Sequence, residues 1–403
     1  MSLRIRLSEI SFYLGLVLLF FGGINLCSWQ GYFFFASSVI LIASIVLRGY
    51  FCLDFDFWLI VAFGLSYIAC SWISGSVKTN DLVYFLLFPI AVYQIAHFEI
   101  RGSQKAMMLL CAFAGSFFAR AILMIGYTTL RSGFSLGAGQ FILDPWLNER
   151  IARTGLSIYL MPAAGLSAYY LLTMFLTKQV RQRWLTSTMS FFVILLSLLW
   201  SSLVGNRSPI AAALIFAILV ALFKALRIKK KEVRYTILIA AGVAALFALA
   251  LIFGFLPGFL TNLEVVKRFN DGGSNKSRIQ CYTDFFTHFY RYPIGGTWRC
   301  VKDTYVHNFY LDIYNFGGIL PFAFFTLLCV RAFLTMLAYQ KTRSKVNAMY
   351  EYAFATMLGT LCLGLFEPIF QANQFTFGFF AIFFASGASL EKNEIVRYTK
   401  FKI

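Results

Sequence analysis

Long apolar stretches separated by short polar breaks recur along the entire chain. They run near residues 9–28, 31–47, 57–74, 82–98, 106–130, 154–176, 185–204, 209–226, 235–257, 317–339, 347–366 and 369–389. Each approaches the roughly 20 apolar residues that a helix needs to cross a hydrocarbon core. The pattern predicts an all-α polytopic membrane protein of about twelve transmembrane helices, a single membrane domain over residues 1–403. Almost no chain is left over for a soluble domain. The first segment lacks a small-x-small cleavage site and Cys27 lacks a lipobox, so the segment reads as a retained helix.

Two polar interruptions exceed turn length: residues 131–153, and residues 258–316 between the ninth and tenth spans. In the first, glycines and serine break regular structure. Asp144-Pro145 then predicts a turn, followed by a short helical turn. In the second, Ile279, Tyr282, Phe285, Phe286 and Phe289 recur at helical spacing, opposed by Arg278, Asp284 and His288. That predicts an amphipathic helix with its aromatics facing the headgroup layer or the bundle. Pro293 and Gly295-Gly296 end it. No internal repeat is visible, which disfavours inverted-repeat transporter folds.

Composition agrees with the pattern: 60% of residues are hydrophobic and 13% charged, which excludes an ordinary soluble globule. Charge then sets orientation. Arg4, Arg6, Arg48, Arg101, Lys105, Arg181, Arg183, the 227–234 cluster, Lys341 and the C-terminal lysines fall on alternate loops. By the positive-inside rule that face is cytoplasmic, with both termini inside. The opposite face should be poor in cations, yet it carries Arg131, Arg150, Arg153, Arg207, Lys267, Arg268, Lys276, Arg278, Arg291, Arg299 and Lys302. In a chain of net charge +18, such a surface fits either solvated loops or a negatively charged ligand. Nothing points to nucleic acid.

Arg207 precedes Ser208-Pro209, which reads as the capped start of the eighth span. A cation there opposes the helix dipole unless an anion is bound, and backbone N–H groups then converge on it with the guanidinium. The alternative is an interfacial arginine reaching into headgroups. Arg150 and Arg153 repeat the arrangement before the sixth span, with Glu149 as a structural partner. Arg120 lies deep in the fifth span and must find a partner inside the bundle, for which Glu367 is a candidate. Arg331 lies near the inner surface and reads as snorkelling. His307-Asn308 precedes the tenth span, and histidine is the side chain suited to exchange protons near neutral pH. Asp54-Phe55-Asp56 resembles the acidic pair by which many glycosyltransferases bind a metal, but it falls on the cytoplasmic side, away from the other candidates, and reads as a polar flank of the third span. No His/Cys/Asp/Glu set has zinc-ligand spacing, and no phosphate loop is present. Cys281 and Cys300 share the long loop, and their spacing leaves a disulfide open.

On these residues the chain resembles the O-antigen ligases of Gram-negative bacteria, within the superfamily that includes O-antigen polymerases. Arg207 matches the arginine that opens the eighth span in that family. Arg278 in SRIQCY, followed by RYPIGG, matches the arginine of the loop helix. His307-Asn308, nine residues and Gly318 match the histidine motif, although Pro321 stands where the family has Gly, Thr or Tyr. The resemblance implies a GT-C-like bundle with its active site on the periplasmic face of the bacterial inner membrane. It implies transfer of a polysaccharide from undecaprenyl pyrophosphate to a lipid A-core sugar, with inversion and without metal or other cofactor. Arg207, Arg278 and His307 would be catalytic, and Arg150, Arg153, Arg120 and Asn308 candidates for substrate binding. The partners are then the lipid-linked donor, the lipid A-core acceptor and membrane lipids. Two rivals stay open: an O-antigen polymerase using the same donor, and an anion or lipid transporter.

Overall fold

A computed structural model describes residues 3–49, 51–78, 80–99, 104–132, 141–147, 149–151, 153–176, 181, 183–203, 208–227, 273–301, 306–341, 348–369 and 373–388, with 231, 234, 235, 237, 239 and 242 between them. The helices are α1 (Leu3–Gly23), α2 (Gln30–Arg48), α3 (Phe55–Ile73), α4 (Phe88–Glu99), α5 (Gln104–Ser132), α6 (Arg153–Leu176), α7 (Trp184–Leu203), α8 (Ser208–Arg227), α9 (Gly273–His288), α10 (Phe309–Gly317), α11 (Ile319–Lys341), α12 (Ala348–Gly364) and α13 (Phe377–Ala388). A π-helical turn, Val83–Leu87, leads into α4. Among the described residues, 8 helices are long and apolar enough to cross a membrane, and Val83–His97 and Gln374–Gly387 are shorter apolar helices. The protein is therefore an all-α polytopic membrane protein. Most of the ninth anticipated span lies outside the described residues.

Small residues set the helix spacing, as expected where lipid supplies no hydrophobic drive between helices. Gly165 of α6 and Gly359 of α12 face each other, and a Cβ on Gly165 would meet the Ala355 carbonyl oxygen at 3.0 Å. Ser37 of α2 donates to the Gly15 carbonyl of α1 at 2.8 Å. The buried centre is aromatic: Phe34, Phe88, Phe113, Phe375 and Phe379 form edge and stacked contacts joining α2, α4, α5 and α13.

Two ion pairs tie buried charges across the helices, as low dielectric favours. Lys224 of α8 lies 2.7 Å from Glu351 of α12, which also accepts from the Tyr169 and Tyr339 hydroxyls at 2.6 and 2.9 Å. Arg331 does not simply snorkel: its Nε is 2.9 Å from Asp56. Asp54 caps α3, accepting from the Phe57 N–H at 2.8 Å, so the Asp54-Asp56 pair does flank the third span.

The loop after α5 departs from expectation. In place of a short helical turn after Asp144-Pro145, it folds as a two-residue antiparallel ladder, with Ile142 facing Ile151 and Leu143 facing Arg150. Asp144 closes the turn, its Oδ1 accepting from the Trp146 and Leu147 N–H groups.

Candidate functional site

Four separate parts of the chain meet at the end of the bundle where α3 and α12 finish and α8 and α11 begin. Their meeting is organised by the loop between α9 and α11. Gly295 and Gly318 both have positive φ, and the Ile319 N–H donates to the Pro293 carbonyl at 2.7 Å. The Tyr314 hydroxyl donates to the Phe289 carbonyl at 2.8 Å, tying α10 to the end of α9. The Thr297 hydroxyl bonds the Ser74 carbonyl, fixing the loop to the end of α3.

The amphipathic helix forms, but its faces differ from the expected division. Cys281 and Phe285 are buried against Val301, Val306 and Tyr314, with Tyr282 partly buried. Ile279 and Phe286 are exposed. Arg278 precedes Cys281, Tyr282 and Phe285 by three, four and seven positions, so it lies on the packed face rather than opposite it. Cys281 and Cys300 are both free thiols, so the loop carries no bridge between them.

From that face Arg278 reaches Glu367, just beyond α12, with Nη2 3.4 Å from Oε1. Glu367 is fully buried and also accepts from the hydroxyl of Ser208, the first residue of α8. The Ser208 hydroxyl, at the expected start of the eighth span, is a donor to this carboxylate. Burial pushes Glu367 above the usual carboxylate range, and Ser208 and Arg278 pull it back. Its second oxygen, Oε2, is buried with no hydrogen-bond partner among the described residues.

His307 stands beside this pair. Its φ of 59° is left-handed, a conformation that costs a non-glycine residue about 1–3 kcal/mol and concentrates at functional sites. Burial, and next the Arg278 charge, pull its pKa below the ordinary value of 6.5. The imidazole is thus neutral at pH 7, with Nδ1 buried and unpartnered among the described residues. Asn308 caps α10, its Oδ1 accepting from the Tyr310 and Leu311 N–H groups. Its amide nitrogen reaches the Leu365 carbonyl at 3.5 Å, next to Glu367. Asp312, on the first turn of α10, is pushed up to about 7 by burial, with the Glu367 charge adding to the shift.

The structure thus brings together Arg278, His307 and Asn308 from the anticipated set. Arg207 lies outside the described residues, although Ser208 directly follows it. Arg153 begins α6, while Arg150 lies in the ladder with its guanidinium 5.5 Å from the Phe141 ring centre. Arg120 is elsewhere: its partner is Asp144 at 3.2 Å, not Glu367, and it stacks 4.5 Å from the Tyr159 ring centre. Glu367 itself was not expected here. The signal for it is a carboxylate followed by proline at the end of an apolar run, an ionisable group at membrane depth.

A groove of about 550 Å³ opens between α6, α7 and α8 and is lined almost wholly by apolar side chains, among them Met161, Leu172, Leu198, Ala217 and Val220. Its lining also includes Pro209, the neighbour of Ser208, so the polar site and the apolar groove share the first turn of α8. The arrangement suits a ligand with a polar, anionic head and a long apolar tail. No protein-family model and no curated protein matches the chain.

Proposed function

We propose that this protein is a glycosyltransferase of the O-antigen ligase type. It would move a polysaccharide from undecaprenyl pyrophosphate to a hydroxyl of the lipid A core, on the periplasmic side of the bacterial inner membrane. The observation that carries the reading is the meeting of a partly exposed guanidinium, a neutral imidazole and a buried carboxylate beside the first turn of α8, whose Pro209 also lines an apolar groove. Arg278 keeps 27% side-chain exposure, so guanidinium N–H groups beyond the Glu367 contact can reach an anion. Arg207, one peptide bond from Ser208, would add a second cation.

In this scheme the polyprenyl tail occupies the groove and the diphosphate sits against Arg278 and Arg207. As the anomeric C–O bond breaks, negative charge grows on the leaving pyrophosphate, and preorganised guanidinium groups favour that charge over the ground state. His307, neutral because of its surroundings, accepts the proton from the acceptor hydroxyl as that oxygen attacks from the opposite face. In-line attack inverts the anomeric centre. Glu367 holds Arg278 and the start of α8 in register through its two contacts.

Reconstitution with purified lipid-linked glycan and lipid A-core tests the proposal. Product formation that is lost in Arg207→Ala, Arg278→Ala and His307→Ala is the expected result. Absence of a new glycosidic bond with the intact protein would overturn it. A donor that elongates on a second lipid-linked chain would instead identify a polymerase.

A further inference from the structure

The other end of the bundle holds a second cluster, where the loop before α3 meets the last turn of α4. Cys52 Sγ lies 3.4 Å from Asp54 Oδ2 and 3.4 Å from His97 Nε2. His97 Nε2 lies 3.4 Å from Asp54 Oδ2. One sulfur, one nitrogen and one oxygen therefore form an almost equilateral triangle. We propose that Cys52, Asp54 and His97 bind a borderline-soft divalent cation of the Zn²⁺ type, with a fourth position open to water.

The dimensions fit. The centre of a triangle of this edge is about 2.0 Å from each corner, and zinc prefers ~2.0–2.2 Å to nitrogen and oxygen and ~2.3 Å to sulfur. An ion slightly out of the plane meets all three lengths and makes three corners of a tetrahedron. The ligand types select the metal class, since thiolate and imidazole favour zinc-like ions over magnesium or calcium. Charge fits too: on binding, the Cys52 proton leaves to solvent, and the dication with one thiolate, one carboxylate and a neutral imidazole makes a neutral unit. Neutrality suits a site where Cys52 is 3% and His97 7% exposed.

A hydrogen-bonded knot is the rival account, and it serves the geometry less well. A thiol and an imidazole Nε2 supply at most two protons for three equally short contacts, whereas a cation satisfies all three atoms at once.

The surroundings are those of a supported ligand set. Asp54 Oδ1 is taken up by the Tyr93 hydroxyl at 2.5 Å and the Phe57 N–H at 2.8 Å, which turns Oδ2 toward the other two ligands. Gln94 clamps the Cys52 backbone, accepting its N–H at 2.8 Å and donating to its carbonyl at 2.7 Å. The Tyr93 ring stacks on His97 with centroids 5.9 Å apart. Such outer contacts orient metal ligands. Sequence alone hides the site because the third ligand comes from another helix at no motif spacing.

The test uses the full chain in detergent, stripped with chelator and titrated with Co²⁺ as probe. A thiolate-to-cobalt charge-transfer band saturating at one equivalent and displaced by Zn²⁺ is expected. Cys52→Ser should remove the band, and Tyr93→Phe should weaken binding by ~10-fold. Zn²⁺ should also shield Cys52 from maleimide in the unsubstituted protein, read by peptide mass spectrometry, which serves if Cys52→Ser does not fold. No saturable band, a band that persists in a folded Cys52→Ser protein, or no shielding of Cys52 would each overturn the proposal.

Discussion

Arg278 and Glu367 meet at 3.4 Å although three helices, α10, α11 and α12, lie between them in the chain, and the carboxylate has no exposure to solvent. A buried acid that shares one oxygen between a serine hydroxyl and a guanidinium fixes both donors relative to each other. Removing it does more than delete a charge, because it frees α8 from the loop helix. Glu367→Ala should therefore destabilise the protein by about 1–3 kcal/mol, the scale for leaving a buried hydroxyl and a partly buried guanidinium without their acceptor. Glu367→Gln keeps the shape and one acceptor, so it should fold and insert yet transfer glycan at least ~10-fold more slowly, about 1.4 kcal/mol in the barrier. Thermal unfolding in detergent and reconstituted turnover separate the two effects. A Gln variant with full turnover would remove Glu367 from the site's machinery.

His307 gives a pH prediction. Its pKa lies below 6.5 because burial disfavours the cation and Arg278 repels it. A depressed imidazole pKa means that the neutral form, and the stability tied to it, is complete above 6.5 and lost as pH falls through the lower, folded value. Transfer should accordingly be flat above 6.5 and fall on an acid limb centred below it. Replacing Arg278 with Gln removes the repulsion, so the His307 pKa should rise toward its ordinary value. The chain has only 3 histidines, so nitrogen-labelled imidazole NMR can follow the titration directly.

Much of this was legible in the sequence, for a simple reason. Each apolar run had to be a helix to satisfy its backbone in lipid, and the run ends fall close to the observed helix ends for α2, α3, α6, α7 and α8. The faces were less legible. Ile279 and Phe286 looked like core positions but are exposed, because hydrophobicity does not separate a lipid-facing or headgroup-facing side chain from a packed one in such a protein. The same ambiguity hides the packed position of Arg278. The two-residue ladder around Asp144 is too short to leave an alternating pattern. Partner choice is also hidden: Asp144 before Pro145 reads as a turn residue, and it serves both the turn and Arg120.

The Arg120–Asp144 pair should be structural. Arg120 is 6% exposed and Asp144 not at all, and the pair ties the mid-depth of α5 to the loop that follows it. Asp144→Ala would leave a buried guanidinium without its counterion and would open the turn at Trp146, at a cost of about 3–5 kcal/mol. The measurement is thermal stability of the purified variant, together with proteolysis of the 141–151 hairpin. An unchanged melting temperature would return Arg120 to the functional candidates.

Gly318 is the junction that seats the loop against α10 and α11. It follows α10 with φ of 84°, a conformation that L side chains rarely adopt. The space around it is as restrictive as its backbone: a Cβ would sit 2.4 Å from the Ile294 carbonyl oxygen and 2.5 Å from that of Pro293. Both contacts are to backbone, which has no rotamer by which to retreat. Gly318→Ala must therefore displace the Pro293–Gly295 segment or break the 2.7 Å bond from the Ile319 N–H to Pro293. Either shift moves α10, and with it Asn308 and His307, relative to Glu367. The expected outcome is an inserted protein with its helical content kept and its transfer activity lost by ~100-fold, the scale at which small misplacements of a reacting group act. Circular dichroism and reconstituted turnover measure the two halves. Alanine at 318 with normal turnover would show that the loop does not need this junction to place His307.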